Sequence, residues 1–163
     1  MMKKQILGIF LAIGLISVGT AAPTFAAGTA VTPPPSFTGT YEGTVYGDYD
    51  SSAPLTLELT QHGRSVTGTA TIGAGLELNA GGFCGTAVLP PTTASADGSV
   101  SSRNPRRLSA DLPVDVGGLE ITALVSGDLS ADGEELDIEV KVDTPFLCGR
   151  DPVITGTLAA ISG

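Results

Sequence analysis

The side chains best spaced for metal chemistry lie in one acidic segment near the C-terminus. Five residues match the first, third, fifth, sixth and twelfth positions of a calcium-binding EF-hand loop: Asp128, Ser130, Asp132, Gly133 and Glu139. The match is incomplete, because Glu135 stands at the eighth position, where an EF-hand has an apolar residue, and because the flanks alternate as strands. We therefore expect a β-hairpin that turns at Asp132-Gly133. Calcium binding by these oxygens is the alternative, and we expect no other cofactor.

Arginine supplies a second kind of candidate site. Arg103, Arg106 and Arg107 form the one basic cluster downstream of the N-terminal segment. Guanidinium groups bind carboxylates and phosphates, so the cluster is a candidate site for an anion or a partner. Salt bridges to nearby aspartates and glutamates are the simpler expectation.

Two further side chains are candidates for binding a ligand inside the fold. Arg64 shares side-chain parity with Val66 and Ala70. If that face lines the interior of a barrel, we expect Arg64 near one open end, where it would bind the carboxylate of a ligand. The alternative is that Arg64 is a strand-end residue whose side chain reaches water. Tyr41, which shares one face of the first strand with Val45, is the second candidate.

The sequence offers no identifiable catalytic constellation. His62 is the single histidine, and its position beside Gly63 indicates a turn residue. One histidine and two cysteines do not supply the ligands of a usual zinc site. We therefore expect no catalytic residues and a protein that is not an enzyme.

The two cysteines, Cys84 and Cys148, predict one disulfide if the chain is exported. They are 64 residues apart in the sequence, and chain-entropy reasoning gives such a bridge about 4 kcal/mol of stabilisation. A redox pair is the weaker interpretation, because the Cys-x-x-Cys spacing is absent.

The N-terminal segment predicts export. Residues 1–26 have two lysines, an apolar run and a cleavage pattern that ends at Ala26, which together indicate a signal peptide. Residues 27–36 contain Pro33-Pro34-Pro35 and are expected to form a linker. The rest, residues 37–163, is expected to be a single all-β domain of a secreted or periplasmic protein.

That domain has the two-residue period of half-buried strands. Short turns at His62-Gly63, Gly117-Gly118 and Ala131-Asp132-Gly133 link neighbouring strands, and longer connections are expected at 90–105 and 143–152. Pro113 lies on a polar face and marks an edge or a bulge. Because closure removes unpaired edges, we expect an antiparallel up-and-down β-barrel of about eight strands, with a two-sheet β-sandwich as the alternative.

Glycines recur at the alternate strand positions that otherwise carry apolar residues, as at Gly43, Gly68, Gly127 and Gly156. They are expected to let the strands bend for closure. The alternative is that they thin the lining and leave a cavity.

Composition excludes some partners. The chain has a net charge of −9 and a pI near 4.3, which argues against nucleic acid as a ligand. Aromatic girdles typical of outer-membrane barrels are missing, so we expect no membrane insertion after the signal peptide is cleaved.

Three short motifs suggest a family likeness: Phe37-Thr-Gly-Thr-Tyr41, Leu55-Thr-Leu-Glu-Leu59 and, after a glycine-centred turn, Val66-Thr-Gly-Thr69. Their combination resembles small secreted bacterial β-barrels of the lipocalin-like and avidin-like kind. The resemblance implies a barrel with an interior binding site. Those families usually carry tryptophan near the first strand or in the pocket, and this chain has none, so no binding residue is transferred from them.

These observations predict an exported, non-enzymatic β-barrel that binds a small apolar ligand or a protein partner. The alternative function is a structural or interaction module of the cell surface, or a secreted enzyme inhibitor. A carrier requires an internal cavity, whereas the interaction module is expected to have a filled core.

Overall fold

The computed structural model describes residues 34–116 and 119–161. The predicted signal peptide, most of the predicted linker and the predicted Gly117-Gly118 turn lie outside these residues. Ten strands and one short 3-10 turn, Asp48–Asp50, account for the secondary structure of these described residues. The strands are β1 (Gly39–Tyr46), β2 (Ser52–His62), β3 (Ser65–Ile72), β4 (Leu76–Gly81), β5 (Gly85–Leu89), β6 (Thr92–Val100), β7 (Arg107–Val116), β8 (Leu119–Leu129), β9 (Glu135–Asp143) and β10 (Val153–Ile161).

Eight of the strands form a closed antiparallel barrel in the order β1-β2-β3-β6-β7-β8-β9-β10, and β10 pairs with β1. The closing ladder runs from Thr40 opposite Ile161 to Tyr46 opposite Thr155. The up-and-down barrel predicted from the alternation is confirmed, and the two-sheet sandwich is excluded. Among the described residues, no helix is both long enough and apolar enough to span a membrane.

The inward face of each strand is the apolar face that the alternation predicts. Tyr41 and Val45 of β1 are buried, as are Leu55, Leu57 and Leu59 of β2. On the outward face, threonine, serine and charged residues meet solvent. Burial of the apolar rows is the main force that fixes the register, because a slip of one residue would turn every inward side chain outward.

One expectation about the connections is wrong. Residues 90–105 are not a long loop, because β6 occupies Thr92–Val100 and forms eight residue pairs with β3. The chain between β3 and β6 instead holds a separate two-stranded hairpin, β4–β5, which we call the cap hairpin. The second predicted connection, 143–152, is present as a loop between β9 and β10.

Inward glycines mark places where neighbouring strands come too close for a side chain. A Cβ on Gly68 would lie 1.9 Å from the carbonyl oxygen of Glu58, and one on Gly43 would lie 2.5 Å from the carbonyl oxygen of Thr157. These contacts support strand bending as the role of the glycines. Gly127 is the one of the four glycines singled out above that also lines the cavity described below.

The barrel has two unlike ends. At the lower end, where β1 begins, Phe37 is fully buried, and Tyr41, Val66, Val100 and Leu129 fill the interior around it. Phe37 is held there by its backbone N–H, which donates to the Gln61 side-chain oxygen at 2.9 Å. The upper end carries the β1–β2 connection, the cap hairpin and the β9–β10 loop.

Candidate functional site

The middle and upper part of the barrel encloses a cavity of about 140 Å³. Among the described residues that line it, only Thr92 carries a polar side-chain group. The other lining residues are Val45, Leu55, Leu57, Leu59, Ala70, Ile72, Leu78, Leu89, Ala94, Ala96, Leu108, Ala110, Leu112, Ile121, Ala123, Val125, Gly127, Leu136, Ile138, Val140, Val142 and Ile154. An apolar cavity of this kind favours an apolar ligand over water, which needs polar partners.

The cavity exists because one part of the wall is built from alanine. Four adjacent strands, β3, β6, β7 and β8, contribute five alanines to the lining: Ala70, Ala94, Ala96, Ala110 and Ala123. Leucines line the cavity from β2 and branched aliphatic residues from β9. Methyl side chains on a curved wall do not reach the barrel axis, so the interior stays unfilled on that side.

The cap hairpin crosses the upper mouth. It leaves the barrel between β3 and β6 and reaches the β9–β10 loop, which lies half-way around the eight-stranded ring. Leu76 is completely buried in the core, and Leu78 and Leu89 line the cavity. The hairpin therefore supplies part of the apolar wall from above.

A polar cluster formed by Asp48, Asn79 and Arg150 holds the cap hairpin in place; we call it the upper clamp. The backbone N–H of Asn79 donates to Asp48 Oδ2 at 2.7 Å, and Arg150 Nε donates to the Asn79 carbonyl oxygen at 2.7 Å. Arg150 also forms an ion pair with Asp48. The Asn79 N–H and the Arg150 guanidinium lower the pKa of the Asp48 carboxyl, so it is charged at neutral pH.

The disulfide adds a covalent link at the same place. Cys84, in the turn of the cap hairpin, is bonded to Cys148 of the β9–β10 loop, with a Cα–Cα distance of 5.1 Å. Gly82 also forms a β-bridge with Cys148, and the Arg150 N–H donates to the Ala80 carbonyl oxygen at 3.0 Å. The predicted pairing of the two cysteines is confirmed.

The barrel wall is incomplete on one side. β6 and β7 pair only from Asp97 opposite Asp111 to Val100 opposite Leu108, near the lower end. Above that point residues 92–96 of β6 and 112–116 of β7 are not joined in a ladder, although each strand remains paired with its other neighbour. We call this the lateral gap. Pro113 lies on it, in agreement with its expected edge position, since proline cannot donate to a ladder.

The gap borders the alanine side of the cavity. Thr92, Ala94 and Ala96 of β6 and Leu112 of β7 belong to both the gap and the cavity lining. The inward residues of β6 from Thr92 to Gly98 are half-exposed, whereas those of β2 are buried. The alanine side of the cavity is therefore more accessible to solvent than the β2 side.

The predicted ligand residues Arg64 and Tyr41 lie away from the cavity, at the closed lower end. Arg64 is exposed, and its Nε donates to the Val100 carbonyl oxygen at 2.9 Å, so it does not stand at the open mouth. Tyr41 is buried, its hydroxyl donates to the Ser36 carbonyl oxygen at 3.4 Å, and burial raises its pKa. Neither side chain lines the cavity.

The arginine cluster lies at the same lower end, at the β6–β7 turn. Arg107 forms a bidentate salt bridge with Asp128, with Nε–Oδ1 at 3.0 Å and Nη2–Oδ2 at 2.8 Å. This pairing lowers the pKa of Asp128 and raises that of Arg107. Arg106 adds a smaller electrostatic effect on Asp128, and Arg103 is exposed in the turn. The expected salt bridge is thus present for Arg107.

The calcium candidates form a hairpin turn. Gly133 has φ of 81° in the turn between β8 and β9, which is the conformation that its place after Asp132 predicts. Asp132 accepts hydrogen bonds from Ser130 and from the Glu134 N–H, which lower its pKa, while Asp128 binds Arg107 and Glu139 lies opposite Ser126. Within residues 34–116 and 119–161, no group of three or more histidine, cysteine or carboxylate side chains is placed to hold a metal ion.

Sequence reasoning missed two parts of the site. Ala94 and Ala96 alternate within Thr92–Val100, but alanine gives a weak hydrophobic signal and the segment reads as a loop. The upper clamp joins positions 31 and 102 residues apart, so no local pattern identifies it.

No protein-family model matches the chain, and no curated protein matches it. Solved structures similar in fold include the following two. One is described as EF1p2_mFAP2b bound to DFHBI, with a TM-score of 0.51, 11% identity, and coverage of 76% of this chain and 93% of that chain. The other is a redesigned β-barrel, b11L5F_LGL, with a TM-score of 0.51, 12% identity, and coverage of 77% of this chain and 91% of that chain. At this identity the likeness shows the barrel fold.

Proposed function

We propose that this protein is an exported, non-enzymatic β-barrel that binds a small apolar molecule in its interior. The observation that carries the proposal is the apolar cavity of about 140 Å³ behind the alanine wall. Burial of apolar ligand surface supplies the affinity, at roughly 25 cal/mol for each Å² removed from water.

The size of the cavity sets the size of the ligand. An engineered apolar cavity of about 150 Å³ in another protein stays dry and binds benzene. The present cavity therefore suits one aromatic ring or a branched aliphatic group of similar bulk. The Thr92 hydroxyl already donates to the Pro90 carbonyl oxygen at 2.9 Å, and the other described lining side chains are apolar, so selectivity rests on shape.

Several independent features support the proposal. The N-terminal pattern predicts export, and the disulfide is compatible with an oxidising compartment. The resemblance to lipocalin-like and avidin-like barrels implies interior binding. One structure of similar fold is itself bound to the small molecule DFHBI. The alternative interaction module was expected to have a filled core, and the cavity favours the binding protein instead.

The test is calorimetric titration with toluene as the probe. We expect saturable binding of one toluene for each protein molecule. In the double variant Ala110→Leu/Ala123→Leu, six added carbon atoms occupy the cavity, and affinity should fall at least about tenfold. The matched control is Ala159→Leu on the exposed outer face of β10, where toluene affinity should not change.

Two results would contradict the proposal. The first is the absence of saturable heat with folded wild-type protein. The second is equal affinity in the wild type and in the filled variant, provided that both melt cooperatively.

A further inference from the structure

Two phenylalanines project from the upper end without packing against the protein. Phe83 in the turn of the cap hairpin is 96% exposed, and Phe146 in the β9–β10 loop is 94% exposed. Leu147 beside it is 58% exposed. A folded domain normally buries at least part of a phenylalanine, so two nearly free rings indicate a surface that something else covers. We call these three residues the apolar tip.

The disulfide brings the two halves of the tip together. Phe83 directly precedes Cys84, and Phe146 lies two positions before Cys148. Since the two cysteine Cα atoms are 5.1 Å apart and consecutive Cα atoms are about 3.8 Å apart, the two phenylalanine Cα atoms are within about 17 Å. The tip is thus one feature although its residues come from distant segments.

The two segments that carry the tip hold no acidic residue, although Asp143 and Asp151 flank the second of them. The chain has 17 acidic residues, yet residues 80–90 and 144–150 contain none. Their one charged residue is Arg150, which is paired with Asp48 in the upper clamp. A tip with projecting aromatic rings and no carboxylate of its own suits the interface of a lipid bilayer, where such rings are stable and unpaired carboxylates are not.

The position of the tip relates it to the cavity. Phe83 belongs to the same hairpin whose Leu78 and Leu89 line the cavity, and β5 leads through Pro90 and Pro91 into the gap-lining part of β6. Small apolar molecules concentrate in bilayers. A protein that rests on the bilayer by its upper end places the mouth of its cavity where such a ligand is most abundant.

We propose that the apolar tip docks this protein on the surface of a lipid bilayer, so that the cavity exchanges its apolar ligand with the membrane. Docking is peripheral and reversible, because it inserts only three side chains. The exchange step rests on the proposed function, whereas docking stands on the tip alone.

The experiment measures partitioning onto phosphatidylcholine vesicles by flotation. Protein is isolated from the exported fraction of an expressing bacterium, and its N-terminus is identified by mass spectrometry so that all variants share it. We expect wild-type protein to float with the vesicles. Phe83→Ser/Phe146→Ser should reduce the partition coefficient at least about tenfold, since burial of even one phenylalanine is worth that factor.

The matched control is Leu124→Ser/Ile161→Ser, which removes exposed apolar side chains away from the tip and should leave flotation unchanged. Both double variants alter exposed positions, and their melting temperatures confirm that they fold. Equal flotation of the wild type and the tip variant would overturn the proposal. So would a wild type that ignores vesicles and instead forms dimers or binds another protein through the tip.

Toluene affinity in vesicle-free solution separates the two proposals. The tip variant should bind toluene as tightly as the wild type. If wild-type protein docks on vesicles but binds no toluene, the proposed function fails while docking survives.

Discussion

At the scale of single residues, Asp48 joins the β1–β2 connection to the cap hairpin and to the β9–β10 loop. Its carboxylate accepts the Asn79 N–H and pairs with Arg150, and its side chain is only 20% exposed. These contacts lower its pKa below the ordinary value of 3.8. A lowered pKa means that the folded state favours the charged form, so its stabilising effect is present above pH 3.8 and is lost as the pH falls through the lowered value.

We expect Asp48→Asn to reduce the free energy of unfolding by about 1 kcal/mol at neutral pH. The amide oxygen still accepts the Asn79 N–H, but the ion pair with the half-exposed Arg150 is lost. Urea unfolding at several pH values measures the effect. The difference from the wild type should shrink as the pH falls below 3.8. The control is Asp50→Asn at the exposed neighbouring carboxylate, and an equal effect of both substitutions would contradict the clamp.

The residues that sequence alone predicts correctly are those whose partners are few or near. Two cysteines allow only one intramolecular disulfide, and Arg107 lies at a strand end opposite Asp128. Asp48 belongs to a short acidic segment that looks like surface, because its partners at 79 and 150 meet it only in the folded barrel. Arg64 was expected at the open end of the cavity. The sequence shows which face of the strand Arg64 shares, but not which of the two barrel ends is open.

At the scale of elements, a strand can be predicted when its inward residues are much more hydrophobic than its outward residues. β2, with leucine at every second position, is unmistakable. β6 has alanine and glycine on its inward face, so its inward residues alternate with polar ones but are only slightly more hydrophobic than they are. The same small residues that hide β6 in the sequence also create the cavity. A strand that leaves interior space unfilled in this way departs from the pattern of a packed strand.

We expect the cap hairpin to depend on its covalent link. We expect Cys84→Ser/Cys148→Ser to reduce the free energy of unfolding by up to about 4 kcal/mol, because the bridge closes a loop between positions 64 residues apart. Hydrogen exchange should quicken locally in residues 76–89, which leave the barrel as a separate two-stranded sheet.

Reduction of wild-type protein is the control for that variant, since both lose the same bond. The ladder between β1 and β2 should keep its protection in each case. Unchanged exchange in the cap hairpin after reduction would show that the upper clamp holds it without the disulfide.

At the scale of the whole molecule, closure could be predicted and the cavity could not. The two-residue period over eight strands requires an apolar interior, and a closed barrel leaves no unpaired edge. Whether that interior is full depends on how alanines and leucines from different strands meet, which is a property of register and curvature. The sequence showed the proline that lies on the lateral gap, but not that β6 and β7 part beside it.

The lateral gap makes a prediction about the molecule as a whole. Residues 92–96 and 112–116 have ladder partners on one side only, so their open-side amides should exchange with solvent faster than amides in residues 55–59 of β2, which pair on both sides. Saturating toluene should slow exchange in the gap, because Thr92, Ala94 and Leu112 line the cavity. Hydrogen exchange mass spectrometry with and without toluene measures both effects, and β2 serves as the internal standard. Equal protection of the gap and β2 in the free protein would mean that the wall is closed in solution, and a ligand would then have to enter past the cap hairpin.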